Sequence, residues 1–226
     1  MINRRIKIIS ITMAAVMLMS FGAACTTVST DASSSVPSET SIISGYSLVG
    51  GWVCPTNYRI DSYLKHVFEN GIMTGSDHSF KPALLLATKP STGTDYCFLA
   101  VKTGATSSDK TYALIYINAA SHYSNMTLLK TEPIALAGSW FYPDSCEVTE
   151  DIDYITKGAT LEFMGSEYEP VAFLATRPAS SNDFAVICKV IPNVEKAVCA
   201  YQVVIFNEDY SGLSTVGECQ ELNIGV

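Results

Sequence analysis

Shifted by 88 residues, this sequence lies on itself. Gly50, Trp52 and Pro55 fall on Gly138, Trp140 and Pro143, and Pro82 falls on Pro170. Leu86, Ala87, Thr88, Pro90 and Asp95 fall on Leu174, Ala175, Thr176, Pro178 and Asp183. These nine identities hold one register without a gap, and with one inserted residue Tyr112 to Asn118 also lies over Tyr201 to Asn207. A chain of 226 residues has room for one or two domains of ordinary size. The repeat therefore divides it into two copies of one unit, residues 47–136 and 137–226.

Each copy carries the same order of signals. In the first, Ile60, Tyr63, Leu64, Val67 and Phe68 recur at helical spacing, with Thr56 or Asn57 as the N-cap and Gly71 just past the end. In the second, Val148, Ile152 and Ile155 keep the stripe, Asp144 with Glu147 reads as a capping box, and Gly158 reads as the stop. Extended runs follow at Ala83 to Ala87, Tyr96 to Lys102, Tyr112 to Asn118 and Met126 to Lys130. The second copy repeats them at Val171 to Ala175, Phe184 to Ile191, Ala200 to Asn207 and Leu213 to Glu218. Turn residues between such runs mark hairpins. The expected class is α+β, with each copy an antiparallel sheet of four to five strands wrapped on one helix. Trp52 and Trp140 then read as repeated core residues, and Tyr116, alternating with Ile115 and Ile117, faces the solvated or ligand-facing side of its strand.

Ahead of the first copy, Arg4, Arg5 and Lys7 precede an uncharged run from Ile8 to Phe21 and the small residues Gly22, Ala23 and Ala24. Residues 1–24 are thus expected to be an export signal. Cys25 at that junction resembles the lipidated cysteine of bacterial lipoproteins, although Gly22 stands where such sites carry Leu; ordinary signal-peptidase release suits the same small residues. Residues 25–46, rich in Ser and Thr, read as a flexible tether. The expected location is a bacterial cell surface, as a lipoprotein, or the medium. Removing the signal's three cations takes the net charge from −8 to −11, which argues against nucleic acid and against anionic lipid, leaving membrane contact only through an N-terminal lipid anchor. The copies differ in charge: residues 49–136 carry seven Lys or Arg against six Asp or Glu, and residues 137–226 carry four against fourteen.

Motifs for chemistry are missing from the sequence. His66, His78 and His122 have no neighbour at metal-ligand spacing, no Cys-x-x-Cys occurs, and there is no nucleophile elbow or phosphate-binding glycine loop. No catalytic residue, metal or cofactor is expected, and the chain is read as a non-enzyme. Six cysteines remain after Cys25, an even number that favours disulfides in an exported chain; Cys188 and Cys199, separated by ten residues across a hairpin, form the first candidate pair.

The order of a Gly-Gly segment, helix, strand, central loop, strand, strand, hairpin loop and strand resembles that of the cystatins. The resemblance is carried by Ser47-Leu48-Val49-Gly50-Gly51, by the segment from Ala87 to Leu99, and by Ile115-Tyr116 with Met126-Thr127-Leu128. With Tyr168-Glu169-Pro170-Val171-Ala172 added, the chain is similar overall to secreted cystatin-like repeat proteins of gut-type bacteria. The resemblance implies two tandem cystatin-like modules. It also implies an edge formed by Gly50 and Gly51, by Lys89, Pro90, Ser91, Thr92 and Gly93, and by Ala119, Ala120 and Ser121. In cystatins such an edge enters the cleft of a papain-like cysteine protease. Here Lys89 stands where the family has Gln and Ser91 where it has Val, and no Trp follows a Pro in the second hairpin. Loss of an aromatic anchor weakens an interface. The function expected first is therefore a non-catalytic binding protein for a protein or peptide ligand, with inhibition of a papain-like cysteine protease by the first copy as the alternative.

Overall fold

Helix α1 (Ser62–Ile72) is followed by β1 (Lys81–Pro90), β2 (Gly93–Thr103), β3 (Lys110–Ala120) and β4 (Met126–Ile134). Helix α2 (Glu150–Thr160) is followed by β5 (Ser166–Pro178), β6 (Asn182–Pro192), β7 (Ala200–Glu208) and β8 (Ser214–Leu222). These elements come from a computed structural model that describes residues 46–105, 109–120, 125–178, 181–194 and 197–224. The signal segment, Cys25, the tether up to residue 45 and Ser121 lie outside the described residues. Each set of four strands forms an antiparallel meander, in the orders β1-β2-β3-β4 and β5-β6-β7-β8.

The burial of β3 decides how the sheets are arranged. Tyr112 to Ile117 is buried without a break, and alternate residues enter different cores. Ala113, Ile115 and Ile117 pack with Phe98 under Val67 and Phe68 of α1. Tyr112, Leu114 and Tyr116 pack instead with Leu174, Ile187, Tyr201 and Val203 of the second copy. In β6 and β7, Val186, Cys188, Val204 and Phe206 lie under Ile152 and Ile155 of α2. The two sheets therefore stack face to face, with one helix on each outer face. Fully burying one Leu or Ile side chain contributes about 1.5–3 kcal/mol, and the shared core holds several from each sheet.

This corrects the expected fold class. Among the described residues strand outweighs helix, 52% against 15%, and the molecule is a sheet-rich body rather than an α+β pair of helix-wrapped cystatin-like modules. The physical reason is that a sheet with one helix on one face would leave its other face wet, whereas here that face carries Leu86, Cys97, Leu99 and Leu114, all buried. Tyr116 is corrected with it: at 5% exposure it lies between the sheets, edge-on to Trp52 at 5.7 Å, and not on a ligand-facing surface.

The contact between copies is reciprocal. Tyr112 Oη donates to the Leu174 carbonyl (2.9 Å), and its repeat equivalent Tyr201 Oη donates to the Leu86 carbonyl (2.8 Å). Cys54 and Tyr58 lie against Tyr201, and their equivalents Tyr142 and Cys146 lie against Tyr112, so cysteine and tyrosine change places across the interface. Irregularities at Pro82/Leu84 and Leu85/Ala87 of β1 recur at Pro170/Ala172 and Phe173/Ala175 of β5. Self-complementary contact of this kind is the geometry of a twofold dimer, built here within one chain.

The segment before each helix is extended and covers a sheet edge. Val53 exchanges backbone hydrogen bonds with Thr88, and Phe141 with Thr176; Leu85 N donates to Tyr58 O, and Phe173 N to Cys146 O. The helices consequently start later than their periodicity predicts. Asp61 caps α1 by accepting from Leu64 N, and Thr149 caps α2 by accepting from Ile152 N. On the far side of the first copy's edge segment, Cys199 N donates to Ser47 O (2.9 Å) and Leu48 enters the shared core, so this segment touches both sheets.

Candidate functional site

Of the predicted edge residues, Gly93 and Ala120 are paired between β2 and β3, and the Gly50-Gly51 turn leads into the Val53–Thr88 pairing on β1. A short 3-10 turn, Val49–Gly51, is closed by Leu48 N donating to Trp52 O (2.8 Å) and is held on β1 through Val53 and Thr88. Gly50 and Gly51 have φ of 73° and 78°, the left-handed region that favours glycine, and a Cβ on Gly51 would touch nothing within 4 Å. The turn is therefore exposed and open on its outer side. The β1–β2 hairpin turns at Ser91 and Thr92, both exposed. Gly93 pairs with Ala120 so closely that an added Cβ would sit 2.0 Å from the Ala119 carbonyl oxygen.

A small polar network holds this rim. Asn118 Nδ2, from the end of β3, donates to Asp95 Oδ1 (2.6 Å) and to Ser91 Oγ (2.9 Å), and Ser91 Oγ donates to Asp95 Oδ1 (2.9 Å). The three residues lock the hairpin turn to β3. Sequence reasoning left Asn118 out of the site, although the repeat places both Asp95 and Asn118 over identical residues in the second copy. Lys89 is half-buried and Pro90 exposed. Ala120 is half-buried, and Ala119, at 6% exposure, packs under α1. Ala119 thus supports the rim from below and offers no surface, because its side chain falls on the helix face of β3.

The same end of the second sheet is built on the same plan and tightened by charge. Asn207 Nδ2 donates to Asp183 Oδ1 (2.6 Å), and Arg177, at the position of Lys89, donates through Nη2 to Asp183 Oδ2 (2.7 Å). The Arg177 guanidinium also lies 4.5 Å from the centroid of the Trp140 ring. Burial alone would raise the Asp183 carboxyl, but the hydrogen bonds from Arg177 and Asn207 outweigh it and hold the group below the usual carboxylate range. Between the sheets, Lys189 is buried, paired with Glu169, and 4.8 Å from the centroid of the Tyr46 ring.

The expected disulfide is not made. Cys188 lies in the core under α2 while Cys199 lies in the core between the sheets, so the two thiols sit on opposite faces of the second sheet. The six described cysteines are free thiols. Burial pushes the Cys97 and Cys188 thiols well above their ordinary value, which suppresses the thiolate needed for reactivity.

Among the described residues, no group of three or more His, Cys, Asp and Glu side chains is placed to hold a metal ion. A recess lined by Leu48, Cys199, Tyr201, Glu221 and Ile224 measures about 30 Å³, enough for roughly one water and far below the ~300 Å³ at which small-molecule sites begin. Among the described residues, no helix is long and apolar enough to cross a membrane. Comparison with family models, with curated proteins and with solved structures gives no match.

Proposed function

We propose that the chain is an exported, surface-tethered, non-catalytic binding protein that meets a protein or peptide partner with the turn end of its first sheet. The observation that supports this is the placing of two exposed turns on the same strands: the Ser91-Thr92 turn is paired to the end of β3 at Gly93 and Ala120, and the Gly50-Gly51 turn leads into the segment paired with Thr88 of β1. Beneath them lies an ordered core, and the Ser91, Asp95 and Asn118 network fixes the central turn. A rim held in advance loses less entropy on binding than a mobile loop. The export signal read over residues 1–24, with Cys25 directly after it, supports delivery to the surface.

The test is site-specific photo-crosslinking of the whole exported chain in the producing cells, with the crosslinker at Thr92 or, as a control, at the exposed Lys65 of α1. The expected result is an adduct from Thr92, none from Lys65, and loss of the adduct in Gly51→Glu at unchanged far-UV circular dichroism. Equal adducts from both positions would remove the rim from consideration.

A second reading, inhibition of a papain-like cysteine protease, is favoured by the exposed, left-handed Gly50-Gly51 turn, which is tied to β1 through Val53 and Thr88. It requires that the whole chain, at about 10 μM, reduce papain activity in a manner abolished by Gly51→Glu. Full papain activity under those conditions eliminates it. The whole chain is needed because residues 47–136 alone would expose the shared core to water.

A further inference from the structure

At the end of the second sheet opposite its β5–β6 turn, large apolar side chains stand in water. Leu161 is 84% exposed, Met164 91% and Val194 68%, with Phe163 beside them, its ring edge-on to Tyr168 at 5.6 Å. Two loops bring them together: Asn193 N donates to Gly165 O (3.0 Å) and Asn193 Nδ2 to Met164 O (3.3 Å), joining the β6 exit to the α2–β5 connection. Grouped exposure of this kind on a soluble body marks an interaction surface, and Met is suited to it by its soft, adaptable side chain.

The first copy provides an internal comparison. Its equivalent connection, Met73-Thr74-Gly75-Ser76-Asp77, is polar after Met73 and is tied to the body. Thr74 Oγ1 donates to Gly71 O and accepts from Leu128 N of β4, and Lys102 Nζ donates to Asp77 Oδ2. Met73, like its equivalent Leu161, is exposed, but Gly75 and Ser76 stand where the second copy has Phe163 and Met164, so those two apolar residues are particular to the second copy. The charge around them is also particular. Glu162 lies within the apolar group and Glu167 is the second residue of the adjoining β5, both exposed, in a copy with fourteen acidic residues against four basic ones.

We infer that this end of the second copy docks a cationic amphipathic segment of a partner protein, one in which Lys or Arg flank large aliphatic or aromatic residues. The apolar side chains of such a segment cover Leu161, Phe163, Met164 and Val194, and its cations face Glu162 and Glu167. An anionic lipid surface offers apolar depth but the wrong charge for this copy. The inference does not depend on the rim of the first sheet.

The experiment measures binding of the whole exported chain to a fluorescent helical peptide of Lys and Leu, to the matching peptide of Glu and Leu, and to phosphatidylcholine vesicles with and without phosphatidylglycerol. The cationic peptide is expected to bind more tightly than the acidic one by about tenfold or more, and to weaken from low salt to about 0.15 M salt. Leu161→Ser combined with Met164→Ser is expected to weaken it by about tenfold or more at unchanged melting temperature, since both side chains already stand in water. Gly51→Glu, at the rim of the first sheet, is expected to leave this binding unchanged, so that failure of the rim reading and of this one are separable. Equal binding by the double variant, or equal binding of the acidic peptide, overturns the inference. Vesicle binding that depends on Leu161 and Met164 while the cationic peptide stays unbound overturns it in favour of a lipid surface.

Discussion

Tyr112 and Tyr201 each carry a phenol across the interface to a carbonyl of the opposite copy, and each is fully enclosed. Replacing either by Phe removes one hydrogen bond and leaves the Leu174 or Leu86 carbonyl with one donor fewer in a dry core. Urea titration is expected to show Tyr112→Phe and Tyr201→Phe each less stable by about 1–2 kcal/mol, with similar losses for the two because their surroundings are reciprocal. A loss in one and none in the other would mean that the reciprocity is geometric only. At this scale the sequence was partly legible. The paired Asp95 and Asp183, and Asn118 and Asn207, stand out once the copies are superposed, and they prove to be the residues that lock the hairpin turns. The exchange of Cys54 and Tyr58 for Tyr142 and Cys146 was not legible, because it joins positions that match in neither residue type nor hydrogen-bonding role. The pairing expected for Cys188 and Cys199 failed for a related reason: separation along the chain says nothing about which face of a strand a side chain occupies.

Helical periodicity and end signals misplaced both helices. Ile60 fits the apolar stripe of α1 and packs against the core beneath it, but it precedes the helix, whose cap is Asp61, and Tyr58 belongs to the segment that covers the edge of β1. An edge strand left open invites pairing with other chains, and covering it took precedence over extending the helix. Gly71 and Gly158, which read as stop signals, lie inside α1 and α2. They do so for different reasons. Gly71 is buried against β3, where a Cβ would fall 2.5 Å from Ile117 Cγ2, whereas a Cβ at Gly158 would meet nothing within 4 Å. Alanine at the two positions is therefore expected to act in opposite directions, although it favours helix at both. Thermal and urea unfolding should show Gly71→Ala destabilised by about 1–3 kcal/mol through overpacking and Gly158→Ala stabilised by about 0.5–1 kcal/mol. Stabilisation by both would show that α1 has room to lift from the sheet.

For the molecule as a whole, the 88-residue repeat was plain in the sequence, but its consequence was not. Two copies suggest two bodies, and each copy read alone accounts for one buried face of its sheet. The overlooked sign was the unbroken apolar character of Tyr96 to Val101 and Tyr112 to Ile117, since a strand wet on one side alternates and a strand covered on both does not. Helices cover the outer faces, so the inner faces have only each other. The near-neutral first copy and acidic second copy are thus two sides of one body, with the candidate rim on the first and the apolar, acid-flanked end on the second. This sharing of a single core is most directly tested by differential scanning calorimetry of the whole chain. One transition is expected, with the calorimetric enthalpy equal to the van't Hoff enthalpy, and residues 47–136 alone should show no cooperative transition. Two separable transitions in the whole chain, the first of them reproduced by residues 47–136 alone, would contradict it.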